Sequence, residues 1–513
     1  MRSVPCRSVD PEPEPTPKPA PAPAPRKRRW LRGLGLGALG LLAVMVVRGL
    51  LNTPEPFEAG AAPTLPTVDA ELAALRLASA VRLPTISPDP EHPERVEAMR
   101  ALHEFLEHEF PRVHRTLERE VVNELSLLYR WPGSDPTAEP ILLIAHMDVV
   151  PVEPGTEGDW SHPPFSGEIV DGVVWGRGTM DDKSGVVGLM QAMERLIEEG
   201  WAPTRTLVIG LGHDEEIGGR QGARAIADHL AARDERFAFV LDEGGAIVSE
   251  AIPGLDRPAA MVGVAEKGYA EIVLTVHDEG GHASMPPTRG AIGRLAAAVQ
   301  RVEDQPMPGE IGGGTRLMLE GMAPHMRLDM RIALSNLWLL SPVIERVLSS
   351  QPASNATLRT TLAPTMFDAG VAPNVLASQA RAVFNARILP GETVDDVLAH
   401  IRDVVDDPEI EVECPDDCRE PSAISRVDGE GFAVVQRAIA HVFPDVVTVP
   451  YLVVGATDAR HYASVARDAY RFLPLRMRAK DRTRMHGTDE QNSVEGFADA
   501  VRFYMAVMML AAG

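Results

Sequence analysis

Gly176-Arg177-Gly178-Thr179-Met180-Asp181-Asp182-Lys183 is a glycine-rich turn that ends on two carboxylates and runs into a helical pattern. Asp181 has the setting of a carboxylate shared between two metal ions, and the rest of the chain is read by asking what could reach it. Four other segments offer residues of ligand type. They are His146-Met147-Asp148, Asp214-Glu215-Glu216-Ile217-Gly218-Gly219, Leu241-Asp242-Glu243-Gly244-Gly245 and Met485-His486-Gly487.

These segments share a setting. Ile141 to Ala145, Leu207 to Leu211 and Phe237 to Leu241 are short apolar runs of buried-strand type, while Gly185 to Glu199 and Gly222 to Ala232 have helical spacing. Strands alternating with helices predict an α/β fold with a mainly parallel central sheet flanked by helices. Functional groups in such sheets collect beyond the carboxyl ends of the strands. His146 follows the first run, Asp214 to Glu216 follow the second, and Asp242 ends the third. Before them, Asp69 to Val81 and Pro93 to Phe110 read as helices and Glu120 to Tyr129 as a strand. Near the end, the helix Gly431 to Phe443, the strand Val446 to Val454 and the helix Val494 to Leu510 resume the pattern.

A different region lies between. Ala270 to Val276, Val383 to Ile388 and Glu409 to Val412 read as strands, with helices over Gly290 to Val302 and Thr393 to Val405. Two strand-helix-strand units predict a small α+β, ferredoxin-like domain, interrupted by an insertion at about 305–365 whose apolar Leu334 to Leu348 reads as a helix. A single core rarely serves more than ~250 to 300 residues. The 513 residues, 45% of them hydrophobic, therefore divide into a main domain at 68–265 and 423–513 and a smaller one at 266–422.

The amino terminus is of another kind. Residues 1–25 form a proline-rich tail, 26–51 a basic flank with an apolar segment, and 52–67 a linker rich in Pro and Ala. The uncharged Gly33 to Val47 is shorter than the ~20 residues that span a bilayer, although flanking arginines can snorkel. The segment reads as a single-pass signal-anchor, with the folded part on the non-cytoplasmic side by the positive-inside rule, or as a signal peptide whose removal leaves a secreted protein. A net charge of −23 argues against a nucleic-acid partner. Three cysteines give no disulfide framework, and Cys414 and Cys418 are either a local bridge or two free thiols.

Two divalent cations ~3.5 to 4 Å apart need a bridging oxygen donor, terminal ligands on each, and open positions for water and substrate. His146 can bind through one ring nitrogen while Asp148 accepts a hydrogen bond from the other. Asp181 can bridge. Glu215 and Glu216 are neighbours on an extended segment and point different ways, so one can bind metal while the other holds a proton. Asp242 and His486 complete two three-ligand sets. Taken singly, a His-x-Asp is usually a capping pair and a Glu-Glu a solvated face. Gathered at buried strand ends with no matching Lys or Arg, these carboxylates would be costly without a cation. The donor set suits zinc, and cobalt or manganese would fit the same donors.

The order His146-x-Asp148, Gly176-Arg177-Gly178-x-x-Asp181-x-Lys183, Asp214-Glu215-Glu216-x-Gly218-Gly219, Asp242, Gly281-His282-Ala283-Ser284 and His486 resembles the di-zinc metallopeptidase family of aminoacylase, carboxypeptidase S and glutamate carboxypeptidase. The likeness runs from about residue 68 to the end and is strongest to the carboxypeptidase S branch. It implies one zinc on His146, Asp181 and Asp242 and another on Asp181, Glu216 and His486, with Glu215 as general base. It also implies that His282, from the smaller domain, stabilises a tetrahedral oxyanion and that Asn385 and Arg387 bind a free carboxylate. Asn374 and Gly455 would line the substrate site. The smaller domain would be a lid and a homodimer contact, which the long insertion would enlarge or replace. The implied reaction is hydrolysis of an amide bond next to a free carboxylate, in a small peptide or an N-acyl amino acid. An N-acyl-amino-acid hydrolase or synthase is the rival within enzymes, and a metal-dependent membrane scaffold the rival outside them. A spare Glu215 beside a full ligand set speaks against the scaffold.

Overall fold

Alternate residues of one apolar strand face opposite ways, so a run that is apolar throughout must be covered on both sides. The computed structural model describes residues 26–54, 57, 59–250, 252–416 and 418–513. In it Ile141, Leu143 and Ala145 enter one core, with the helices Ala70–Val81, Lys183–Glu198, Glu430–Val442 and Val494–Ala512, while Leu142 and Ile144 enter a second with the helix Ala223–Ala231. Three of these helices start on a side-chain cap. Asp69 accepts from the Leu72 N–H (3.0 Å), Asp182 from Gly185 (2.9 Å) and Ser493 from Gly496 (3.0 Å).

The strand Ile141–His146 lies in a ten-stranded sheet between Leu207–Gly212 and Val240–Asp242, parallel to both. Ala469–Arg471 continues in parallel beyond Val240–Asp242, and Val447–Val453 runs parallel to Ala259–Glu266. The far margin is an antiparallel hairpin, Glu118–Val122 and Ser126–Trp131, where the sequence predicts one strand over 120–129. Asn123 and Glu124 take left-handed backbone, with φ of 47° and 69°, and two such residues reverse a chain. The alternation of apolar residues continues through the turn, so periodicity alone does not reveal it.

The smaller domain keeps the three expected strands and adds a fourth, Thr361–Ala369, which begins inside the stretch expected as an insertion. Gly268–His277, Thr361–Ala369, Gln379–Ile388 and Ile410–Glu413 form a four-stranded antiparallel sheet in which the first strand lies between the third and fourth. Ala291–Asp304 and Val394–Val405 pack on it around Ile272, Leu274, Phe384 and Ala386. Cys414 and Cys418 are joined as a local disulfide at its edge.

The insertion does not extend this domain. Its helices Gly313–Met322, Leu328–Leu334, Leu337–Leu348 and Pro352–Leu358 bury Leu319, Met322, Leu334, Leu337 and Leu358 against Ala259, Met261, Val447 and Val449 of the main sheet. The single helix expected over 334–348 is broken at Ser335 and Asn336. Asn336 Nδ2 donates to Ile332 O (2.7 Å) and to Met45 O (3.1 Å) of the helix Arg26–Leu51. That amino-terminal helix, expected as a signal-anchor, docks here by its last turns. Asn52 Nδ2 reaches Ser335 Oγ (2.8 Å), and a Cβ at Gly49 would fall 2.8 Å from Ile332 Cα, so only glycine permits the approach. Among the described residues no helix is long and apolar enough to cross a membrane. The proline-rich tail expected at 1–25 lies outside the described residues, as do parts of the linker.

Candidate metal centre

Three of the ligand-bearing segments lie where the main sheet places strand ends. His146 ends its strand, Glu215–Ile217 is a single 3-10 turn after Leu207–Gly212, and Glu243 follows Val240–Asp242. The other two are brought together by a small sheet in which Gln491–Ser493 pairs with Val173–Trp175, so that the His486 loop meets the Gly176 to Lys183 turn. Gly176 has φ 140° and a Cβ there would sit 2.5 Å from Val81 Cγ1, which is why the turn needs glycine to enter the core.

Asp181 is the meeting point. Its Oδ1 lies 2.9 Å from His146 Nε2 and its Oδ2 lies 3.0 Å from His486 Nε2, while His486 Nε2 is also 3.2 Å from Glu216 Oε2. Two candidate metal-holding groups result, His146 with Asp181 and Glu243, and Asp181 with Glu216 and His486, their ligand atoms within 4.8 Å of one another in each. Ligands on one tetrahedral zinc, with bonds of about 2.0 to 2.1 Å, are separated from each other by roughly 3.3 Å, so these spacings are near those of donors that share an ion. His146 Nδ1 is 3.0 Å from Asp148 O, which fixes the proton there and turns the Nε2 lone pair toward Asp181. Asp148 does more than orient that ring. Fully buried, its carboxylate lies 3.3 Å from His146 Nδ1 at Oδ1 and accepts from Ser87 Oγ (2.7 Å) and from the N–H groups of Glu215 (3.1 Å) and Glu216 (3.2 Å), so one residue sets both the histidine and the glutamate turn.

The charges are out of balance in the way a cation would correct. Burial pushes the carboxyls of Glu215 and Glu243 well above the usual range and raises Glu216, with Asp458 adding to Glu215 and Asp181 to Glu243. Hydrogen bonds to Asp181 and Glu216 hold His486 up to about 10. Burial opposes ionisation of Asp181 too, but the two histidines outweigh it and hold its carboxyl below the ordinary value. Glu216 Oε1 is buried with no hydrogen-bond partner, an orphan acceptor in the group it forms with Asp181 and His486. Lys183 does not neutralise the cluster, because its buried Nζ donates to Ala80 O (3.0 Å) and Leu83 O at the end of the helix Ala70–Val81. The donor set therefore fits two divalent ions.

Asp242, expected as a ligand, stands next to the carboxylate that enters the candidate group. Both oxygens of Asp242 accept from backbone N–H groups, Oδ1 from Glu243 (2.9 Å) and Oδ2 from Ala459 (2.7 Å), and the carboxylate that joins His146 and Asp181 belongs to Glu243. The residues assigned to substrate lie on other elements. Asn385 and Arg387 share one face of the lid strand Gln379–Ile388, with Arg387 Nε on Asn385 Oδ1 (3.2 Å) and its guanidinium 4.7 Å from the Tyr269 ring. On the same ring, at 5.4 Å, lies Arg419, whose Nη2 comes within 2.9 Å of where a Cβ on Gly218 would sit, so this stack adjoins the glutamate turn. His282 is exposed on a two-residue bridge, Gly281 and His282 against Leu376 and Val375, and the exposed Asn374 accepts from the Ala283 N–H (3.1 Å) beside it. Gly455 is exposed, with nothing within 4 Å of a built Cβ.

Three residues without an expected role also enter the site. Arg460 Nη1 lies 3.8 Å from Glu215 Oε1 and its Nη2 donates to Gly218 O (3.0 Å). Arg177 and Glu490 form a fully buried pair at 2.7 Å beside Asp181. Glu490 follows His486 by four residues, but a residue whose contacts run mainly to backbone amides leaves little side-chain pattern to read.

Comparison with known proteins places the chain in a family. The chain is 38% identical over 92% of its length to "Probable carboxypeptidase S-like 2" of Dictyostelium discoideum, covering 92% of that protein. It is 39% identical over 84% of its length to "N-fatty-acyl-amino acid synthase/hydrolase PM20D1" of Xenopus tropicalis, covering 84% of it. The fold is shared with the M20 family metallo-carboxypeptidase Sso-CP2 from Sulfolobus solfataricus, with a TM-score of 0.61 at 16% identity over 86% of this chain and 99% of that one. The model of Peptidase family M20/M25/M40 matches residues 142–510, and the chain belongs to that family.

Proposed function

We propose that the protein is a two-zinc hydrolase of amide bonds that lie next to a free carboxylate, acting as a carboxypeptidase on small peptides. The observation that carries this reading is the Asp181 carboxylate, met on one oxygen by His146 and on the other by His486. One ion would rest on His146, Asp181 and Glu243 and the other on Asp181, Glu216 and His486. When bound, such a pair acidifies a water and polarises the carbonyl of the scissile bond. Glu215, beside both groups yet in neither, takes the proton from water at its carboxylate and returns it to the leaving nitrogen, a role for which a carboxyl raised by burial is suited. Arg460 steadies it. His282 accepts from the Ser284 N–H at Nδ1 (3.1 Å), which leaves Nε2–H as the donor for the oxyanion. Arg387 and Asn385 take the substrate carboxylate, with Asn374 and Gly455 at the margins of that site.

Replacing Glu215 by Gln removes the base and keeps the volume. We expect E215Q to lose at least ~10³-fold in kcat while both metals remain bound, as measured by metal analysis. Wild-type turnover in E215Q would refute the assignment.

A second reading, hydrolysis or synthesis of N-acyl amino acids, is favoured by the 39% identity to the Xenopus relative named for that activity. Both substrate classes end in the carboxylate that Arg387 would hold, so N-acyl amino acids assayed beside blocked dipeptides separate them. Two assignments at the surface complete the proposal. The helix Arg26–Leu51 holds the protein to a lipid surface on the non-cytoplasmic side, in keeping with the exposure of Leu36, Leu39, Leu42, Val47 and Leu51, unless it is removed on secretion. The lid's edge strand Thr361–Ala369, with Met366 and Phe367 exposed, meets its copy in a homodimer.

A further inference from the structure

Glu490 is buried completely, yet none of its contacts is to a ligand side chain. Its Oε1 accepts from the N–H groups of Gly178 (2.9 Å), Met180 (2.8 Å) and Asp181 (3.3 Å). Its Oε2 accepts from Arg177 Nη1 (2.7 Å), and its own carbonyl accepts from the Gly176 N–H (2.9 Å). Arg177 carries the contact onward, Nη2 donating to His486 O (3.2 Å) and Gly487 O (3.1 Å), with the guanidinium over the Trp160 ring at 5.3 Å. One carboxylate and one guanidinium thus grip the backbone of Asp181 and of His486, 305 residues apart.

His486 needs such a grip. Its side chain is 52% exposed, so packing does little to place the imidazole, and its φ of 60° is one that a non-glycine residue holds only when its surroundings enforce it. His146, by contrast, is buried at the end of a central strand and is placed by the sheet itself.

We propose that Glu490 is a positioning residue for metal binding, acting with Arg177 to set His486 against Asp181, so that the ion shared by Asp181, Glu216 and His486 depends on this clasp and the ion on His146 does not. The proposal rests on the reading of Asp181 as a bridge between two ions. Residues that orient ligands from behind typically govern affinity or activity by ~10 to 100-fold.

The test is to load E490A with metal, dialyse it, and count metal per chain beside Tm, kcat and KM. Wild type should keep two ions and E490A one. The variant's kcat should fall ~10 to 100-fold and recover as free metal is raised, with KM within about threefold of wild type. R177K, which keeps the charge but cannot fork to two carbonyls, should lose the same ion, and it serves if E490A does not fold. Two ions retained through dialysis with only a lower Tm, or both ions lost together, would overturn the clasp. Fewer than two ions in wild type would bring down the bridge reading, and the clasp with it.

Discussion

In the main domain His146, Asp148, Asp181 and Glu490 are nearly inaccessible, and each is bonded to another part of the centre; in the lid His282 and Asn374 stand exposed on a loop, and Asn385 and Arg387 are half-buried on a sheet. Burying a charged group without a partner costs several kcal/mol, so the main domain must resolve the position of every carboxylate before any substrate arrives. Exposed groups carry no such cost. The candidate metal centre is therefore held by the fold, whereas the lid residues are held mainly relative to one another, and the Arg387, Tyr269 and Arg419 stack next to Gly218 joins the two regions.

The comparison breaks most sharply at Asp242 and Glu243. If the backbone N–H groups that occupy both oxygens of Asp242 leave Glu243 to face the ions, E243A should release the ion held with His146 and Asp181 and lower kcat by ~10³-fold or more. D242N should keep both ions and lose about 1 to 3 kcal/mol of stability, because an amide cannot accept from both the Glu243 and Ala459 N–H groups. Metal analysis and thermal unfolding of the two variants decide it. An ion lost from D242N and retained in E243A would restore Asp242 as the ligand.

That pair also marks where the sequence stops speaking. A strand end with carboxylates after an apolar run is visible in the residue order, and so His146, Asp181, Glu216 and His486 are found. Which of two adjacent acids turns inward depends on where the strand ends and on the Ala459 N–H, 217 positions away, and no periodicity encodes that. The same reason hides Glu490. The helix break at Ser335 and Asn336 depends on Met45 of the amino-terminal helix, and the insertion's apolar spacing does not say that it packs on the main sheet rather than on the lid. His282, Asn385 and Arg387 are legible only through family likeness, because an exposed histidine, or an arginine and an asparagine half-buried on a strand, has no energetic need that would single it out.

The lid side of the comparison is sharpened by Arg387. If its guanidinium receives the substrate carboxylate, R387A should raise KM by ~30 to 100-fold, equivalent to about 2 to 3 kcal/mol of lost charge-assisted hydrogen bonding, with metal content unchanged. R387K should fall between, since an ammonium keeps the charge without the planar fork. Equal KM in all three proteins would remove Arg387 from the substrate site and leave its stack on Tyr269 as a structural contact.

The smallest effect lies in the main domain away from the candidate metal centre and tests the argument from burial itself. His103, on the helix Pro93–Glu109, is pushed down to about 4 by burial, with Nε2 2.9 Å from Leu125 O. Its unfolded value is near 6.5, so between pH 6.5 and 4 the unfolded chain binds a proton that the folded chain refuses. Stability is then complete above pH 6.5, falls as the pH drops through that window, and levels off below 4. H103Q can still donate to the Leu125 carbonyl but does not titrate. Its stability relative to wild type should rise by about 1 to 2 kcal/mol between pH 7 and pH 4, a figure reduced for the part of the ring that solvent reaches. Parallel Tm profiles for the two proteins across that range would mean that His103 is protonated in the fold, and that burial there costs less than the same reasoning requires at Glu215 and Glu243.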